Sequence, residues 1–377
     1  MLVYIIPFFV TFLSSIVYDV CKHNDKSAEI LIFIGLYLYL TCLIGFRYMV
    51  GGDSFVYMSY FNSISNNGMF DISWDGDGDG GFQPFFAFLF SFAKTIYPSF
   101  IFFQILHILI INTCLFYFIS QRSEYRFSVL FLFLLMFYIN FTVEILRESL
   151  AVMVFLFNYK NLENNKWLKY YIGVFIAVMF HLSAIFLIFL PFLKFLKLNI
   201  TYIIVLFIAL LALNQLNYLF VFFENVEKIN KKVNDYSEAS YGWKSTVLFF
   251  VTRTLIPVGL LLWAKTKFNI AIKYEFLICV FGILGICSIF NTIIFTRFTN
   301  YIMPFYCIVL ADILIPFFRL KIFTPGKLIT TVTFVIMLFT YGYASFYWPE
   351  RYYVKWVPYY SIFSYEAEND KFIDRNY

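Results

Sequence analysis

Residues 170–193 read YYIGVFIAVMFHLSAIFLIFLPFL, without one Asp, Glu, Lys or Arg. As helix, a run of this length crosses about 30 Å of hydrocarbon. Residues 95–121, 198–223, 276–296 and 328–349 are equally free of charge. A large soluble protein buries one or two such helices, but five of them decide the class. The chain reads as an all-α, polytopic integral membrane protein. Composition agrees: 62% of residues are hydrophobic, 24% aromatic and 14% charged, where a soluble domain has roughly a quarter charged.

In chain order the apolar segments are 2–19, 30–46, a short 82–93, 98–119, 127–143, a short 148–159, 170–193 itself, 200–223, 247–264, 276–296, 298–318 and 328–348. They predict about ten to twelve transmembrane or membrane-embedded helices in a single polytopic domain, 1–348, followed by an aromatic and polar tail, 349–377. The first residues, MLVYIIPFFVTFLSSIVY, lack the positive flank and small-residue cleavage site of a signal peptide and are expected to form the first span. Five of the six cysteines (Cys42, Cys114, Cys279, Cys287, Cys307) fall inside apolar blocks and Cys21 at a span end, which excludes a metal knuckle.

Lys and Arg concentrate in cytoplasmic loops. The stretches 20–28, 120–126, 160–169, 194–199, 265–275 and 319–327 hold 15 Lys plus Arg against four acidic residues. The loops 47–81 and 224–244 and the tail are balanced or acidic, so these and the N-terminus are expected outside. Parity then requires 82–119 to cross once, so that 82–93 lies at the outer interface or dips in and returns. It also strains 170–193, which separates two basic loops. Either one loop breaks the charge rule, or the run is a broken hairpin bent near His181-Leu182-Ser183 beside a wet cavity, where non-helical backbone is tolerated.

Residues able to carry chemistry favour the outer side. Arg47 and Asp53 bracket a loop, Arg47-Tyr48-Met49-Val50-Gly51-Gly52-Asp53, that either merely leaves the membrane or fixes an arginine and a carboxylate at a cavity mouth. Arg147 lies between Glu144 and Glu148; Glu144, three residues before it, is expected on the same helical face, and Glu148 follows it immediately. It is either neutralised there by Glu144 and snorkelling, or a guanidinium able to bind phosphate bidentately. His181, alone among apolar residues, is either a satisfied core histidine or a general acid or base. His107 stands alone in the segment 98–119. Arg253 lies inside a span, and Arg297 in an expected outer turn between 276–296 and 298–318, followed by Tyr301. Asp75, Asp77, Asp79 and Gly80 begin like a calcium loop, but its twelfth position is Phe86 rather than Glu; a weak divalent-cation site or a plain acidic turn remains open. No other metal site, P-loop, dinucleotide fold or serine elbow is present, and nothing points to nucleic acid. The tail, within WPERYYVKWVPYYSIF (348–363), reads as an interfacial aromatic segment.

The order of these motifs resembles the EpsG family of membrane proteins, relatives of the Wzy-type polysaccharide polymerases. The resemblance rests on Arg47 through Gly51-Gly52-Asp53 to Tyr57, on Glu144-Ile145-Leu146-Arg147 through Phe157, and on Lys169-Tyr170 through Phe180-His181-Leu182-Ser183-Ala184. It closes with Phe295-Thr296-Arg297-Phe298 and Tyr301. The family's acidic residue before a Gly-Tyr pair has its nearest equivalent in Asp79-Gly80-Gly81-Phe82. The resemblance implies a GT-C-like polymerase or ligase architecture in the bacterial cytoplasmic membrane. It implies polymerisation of undecaprenyl-pyrophosphate-linked oligosaccharide repeat units at the outer face, without a further cofactor and with other polysaccharide assembly proteins as candidate partners. In that reading His181, Arg147 and Asp53 are catalytic, and Arg47, Glu144, Glu148, Arg253, Arg297 and Tyr301 contact substrate. A lipid-linked glycan ligase, another glycosyltransferase, or a flippase or exporter are the competing readings; convincing internal repeats, which a transporter would favour, are not seen.

Overall fold

The structure, a computed structural model, describes residues 2–64, 82–199, 201–202, 248, 250–288, 292–320, 322, 324–346, 356 and 359–363. The expected span 200–223, the loop 224–244 and the acidic turn with Asp75, Asp77 and Asp79 lie almost wholly outside these residues. Among the described residues the ordered elements are helical, apart from one isolated β-bridge. Among the described residues six helices are long and apolar enough to cross a membrane, and four shorter apolar ones accompany them. The chain is a multi-pass all-α membrane protein.

Two compact units divide it, residues 1–185 with 342–377 and residues 186–341. In the first, α1 (Leu2–Val20), α2 (Lys26–Gly45), α5 (Phe100–Arg122) and α6 (Arg126–Val143) are each long and apolar enough to span. Between them come α3 (Ser54–Ser63) and α4 (Pro84–Ile96), and after them α7 (Leu146–Glu163) and α8 (Trp167–Phe180). Local chemistry sets several ends. Asp25 caps α2 by accepting from the Ala28 amide at 3.0 Å, and Pro84 opens α4 where its missing N–H costs nothing.

One end of this unit collects basic loops: Arg126 pairs with Glu29 at 3.7 Å and Arg122 with Glu163 at 3.1 Å. About 30 Å away along α2, the other end gathers the Arg47 loop, α3 and the junction of α6 with α7. Here α4 lies crosswise. Its first turn packs Phe85 on Phe180 at the end of α8. Its last turn sends Lys94 Nζ to the carbonyls of Phe61 and Asn62 at the end of α3, while Phe61 stands against Phe100 at the start of α5. Both ends of α4 are thus tied to the same end of the unit, and it does not cross, as parity required.

Three sequence expectations need correction. The short segment 148–159 is the helix Leu146–Glu163. Its break from α6 falls at Glu144 and Ile145 (φ −100°, ψ 51° at Ile145), so Glu144 and Arg147 do not share a helical face. The tail is also more than an interfacial segment: Trp356 is buried in the first unit. The run 170–193, by contrast, is interrupted where one of its two readings put a bend. It breaks at His181 (φ −157°, ψ 131°), and a 3-10 helix, α9 (Leu182–Leu193), follows.

In the second unit α10 (Ile256–Phe268) follows a π turn, Val251–Leu255, and ends where Asn269 adopts a left-handed conformation, φ 52°. Then come α11 (Glu275–Cys287), α12 (Thr292–Phe318) and α13 (Pro325–Phe346). The turn expected at Arg297 does not exist there, because α12 starts five residues earlier, at Thr292, and runs through it.

Candidate functional site

The break between α6 and α7 is the centre of the polar end of the first unit. No Pro or Gly lies at 141–150 to cause it. Asn140 O accepts from both the Glu144 and Ile145 amides, at 3.0 and 3.3 Å, and the helix stops there. Tertiary bonds hold the result. Glu144 Oε1 accepts from the Gly52 amide at 2.9 Å and from the Trp356 indole Nε1 at 3.1 Å. Gly51 makes this approach feasible. Its φ of +110° suits glycine, and a Cβ there would stand 2.5 Å from Val143 Cγ1.

Arg47 sits behind this loop with 1% of its surface exposed. Its Nη1 donates to the Ile44 carbonyl at 2.7 Å, and its Nε is buried without a hydrogen-bond partner among the described residues. Burial pulls the guanidinium down to about 10, opposed by Tyr4, Glu144, Tyr359 and Tyr138. It therefore keeps its charge at neutral pH, beside but not bonded to Glu144. Gln104 fixes the Arg47 backbone by donating to its carbonyl at 3.1 Å. Asp53, by contrast, is exposed and stands at the N-terminal end of α3.

Arg147 belongs to the first turn of α7. Its guanidinium lies 4.6 Å above the Phe82 ring, and Nη1 donates to Gln83 Oε1 at 3.3 Å. Its Nε is buried without a hydrogen-bond partner among the described residues. The Glu144 neutralisation weighed from sequence is not what forms. Phe82 in turn stacks on Tyr57, one turn after Asp53 in α3. Glu148 is buried in the same turn as Arg147.

The helices α7 and α8 form an antiparallel hairpin, with the Asn158 amide set against Gly173 and Asn158 Nδ2 donating to the Tyr170 carbonyl at 2.8 Å. The similar lengths of its arms bring His181, just past α8, back to the level of Arg147. His181 is 7% exposed. Its Nδ1 accepts from the Ser183 amide at 3.2 Å and meets Ser183 Oγ at 2.6 Å. A backbone N–H can only donate, so the neutral ring carries its proton on Nε2. His107 is the satisfied core histidine: 1% exposed, with Nε2 3.0 Å from the Leu146 carbonyl.

The first unit thus gathers Arg47, Asp53, Glu144, Arg147, Glu148 and His181 at one end. The second unit holds the other three candidates. Arg253 stands 4.5 Å over the Tyr341 ring and donates from Nη2 to the Thr340 carbonyl at 3.3 Å. Arg297 is half-buried inside α12, and Tyr301 is fully buried against Phe186. Sequence reasoning missed Gln83, Gln104 and Trp356. Gln104 had a signal: with His107 and Asn112 it forms a polar stripe on one face of a spanning helix, which must turn inward. Gln83 and Trp356 had none.

Among the described residues no group of three or more His, Cys, Asp or Glu is arranged to hold a metal ion. The EpsG family model matches residues 29–361. The chain belongs to the EpsG family. EpsG proteins are Wzy-like polysaccharide polymerases, glycosyltransferase-like membrane proteins of exopolysaccharide biosynthesis. The EpsG match includes the Arg47 loop, the α6–α7 break, the His181 break and Trp356. No curated protein and no solved structure matches the chain.

Proposed function

We propose that the protein polymerises undecaprenyl-pyrophosphate-linked oligosaccharide repeat units by glycosyl transfer at the extracytoplasmic face of the bacterial cytoplasmic membrane. A hydroxyl of the acceptor unit forms a bond to the reducing-end C1 of the growing chain. The bond from C1 to the lipid pyrophosphate breaks, and the pyrophosphate leaves with the electron pair. The hydroxyl proton passes to a carboxylate.

The observation that carries this reading is the setting of Arg147. Among the described residues its one hydrogen-bond partner is a neutral side-chain amide, which a phosphate oxygen can replace at a gain, since hydrogen bonds between two ions are the stronger ones. A guanidinium placed there stabilises the charge that develops on the departing pyrophosphate. Asp53, the exposed carboxylate, suits the proton's destination. Glu144, tethered through one oxygen, suits the task of holding the acceptor hydroxyl. His181 offers Nε2–H, which fits orienting an oxygen better than removing its proton. Arg47 is too deep to meet substrate and acts through its charge on the loop and Glu144. The activated donor supplies the free energy, so no nucleotide is called for.

Purified protein in liposomes, given its lipid-linked repeat unit, tests the proposal through product length. The parent is expected to make extended lipid-linked chains, and Arg147→Ala and His181→Ala at matched abundance are expected to lose them. A well-folded parent that extends nothing would move the reading to ligation or transport.

A further inference from the structure

The C-terminal segment contributes to the site more than sequence suggested. Residues 359–363 pair antiparallel with the strand-like stretch that carries Arg47. The Arg47–Ser361 bridge is flanked by Tyr48 N donating to Tyr360 O at 2.9 Å and Ile362 N donating to Phe46 O at 3.0 Å. Tyr359 OH donates to the Leu43 carbonyl at 2.8 Å, closing the end of α2, and its ring meets Tyr4 edge-on at 5.8 Å. Tyr4 OH donates to the Trp356 carbonyl at 3.0 Å, which ties the segment to α1 as well.

These anchors place Trp356, 5% exposed, with its indole N–H on Glu144. Indole offers one donor and no acceptor, so its orientation is informative: it is satisfied only by an oxygen, and here that oxygen is a carboxylate. Gly52 and Trp356 both donate to Oε1. Among the described residues no group hydrogen-bonds Oε2, so one oxygen is held and the other is left to a substrate. A carboxylate on a non-helical residue between two helices has several rotamers open to it, and two fixed donors select one.

We propose that Trp356 is a positioning residue of the polymerase site, fixing the Glu144 carboxylate for the acceptor hydroxyl, and that Trp356 and residues 359–362 form a wall of that site. This rests on the function proposed above for Glu144. The bonds of Trp356, Tyr359, Tyr360 and Ile362 run to α1, α2, the Arg47 loop and Glu144, so these residues are built into the unit before substrate arrives.

The test uses the full chain and two readouts. In the liposome assay Trp356→Phe keeps the ring and removes the donor, and it is expected to lower kcat about tenfold, the scale of one hydrogen bond to a charged group. Added to Glu144→Ala, the same change is expected to lower it no further, because the two residues act through one contact. Equal losses in both backgrounds, or no loss in Trp356→Phe, would overturn the proposal. Amide hydrogen exchange in detergent supplies the second readout, independent of activity. Trp356→Phe is expected to speed exchange at Gly52, whose N–H depends on the held carboxylate, while α11 stays unchanged. Unaltered exchange at Gly52 would refute the positioning role. A parent that extends no substrate refutes the function instead, while the exchange result still decides whether Trp356 holds Glu144.

Discussion

Arg147 in the first unit and Arg253 in the second are built alike at first sight. Each guanidinium covers an aromatic ring, Phe82 at 4.6 Å and Tyr341 at 4.5 Å, and each donates at 3.3 Å to an oxygen of a described residue. The acceptors differ. Arg253 bonds a main-chain carbonyl near the end of α13, and its own carbonyl accepts from Tyr306 OH at 3.1 Å. Those groups are part of helix packing and cannot leave. Arg147 bonds the amide of Gln83 just ahead of α4, at a helix break, with a buried Glu148 beside it. Rotating Gln83 away costs one neutral side-chain contact. On the proposed function, the same residue type over the same kind of ring is structural in one place and open to a ligand in the other. The two histidines repeat the lesson, since His107 is closed off inside α5 while His181 stands at a break.

The largest expected effects come from truncating the two arginines. Arg147→Ala is expected to reduce kcat/KM for chain extension by about 10²–10³-fold, the scale of a lost charge-stabilising donor, with little change in melting temperature. Arg253→Ala is expected to do the reverse, lowering the melting temperature while the folded fraction stays active. Equal activity losses at matched folding would erase the distinction.

Next in size, His181→Ala should cost about tenfold to a hundredfold, whereas His181→Gln, which retains an N–H donor, should recover most of that. The pH profile of the Gln variant should keep the parent's shape. A profile that loses its acidic limb would instead make His181 the base. His107→Ala should reduce stability by about 1–2 kcal/mol and leave KM unaltered, as thermal melting and acceptor titration would show.

Gly51→Ala places a methyl against Val143 at a φ that L residues rarely adopt. A destabilisation of about 1–3 kcal/mol is expected, read as a lower melting temperature together with weaker acceptor use, because Gly52 and Glu144 shift with it. The smallest effect belongs to Gln83→Ala. If phosphate replaces that amide in the bound state, KM for the donor should stay within about threefold. A tenfold rise would mean that Gln83 itself binds substrate.

Much of the fold was legible because membrane burial writes itself locally. Apolar length, charge punctuation and the basic loops marked the spans, and parity alone kept α4 from crossing. The charges Glu144, Arg147 and Glu148 marked a discontinuity after 143, and His181 marked another. Less legible was Arg297, where a single charge between two apolar runs suggested a turn. The helix instead continues through it, since one long side chain near the end of a span does not break an α-helix. Arg147 and its neighbours were found as candidates from the cost of ionisable groups in apolar sequence, but the helical face expected to join Glu144 and Arg147 is interrupted by the break.

From the sequence alone came the helical membrane class, the positions of the polar residues and the resemblance to EpsG. Those follow from each segment's own contact with lipid, which constrains residues one by one. The tertiary structure decided which groups meet: Glu144 with Gly52 and Trp356, Arg147 with Phe82 and Gln83, and Arg47 enclosed by a chain segment more than three hundred residues away. Such pairings join residues with no shared periodicity, and only a folded chain, in which each buried donor must find an acceptor, selects them.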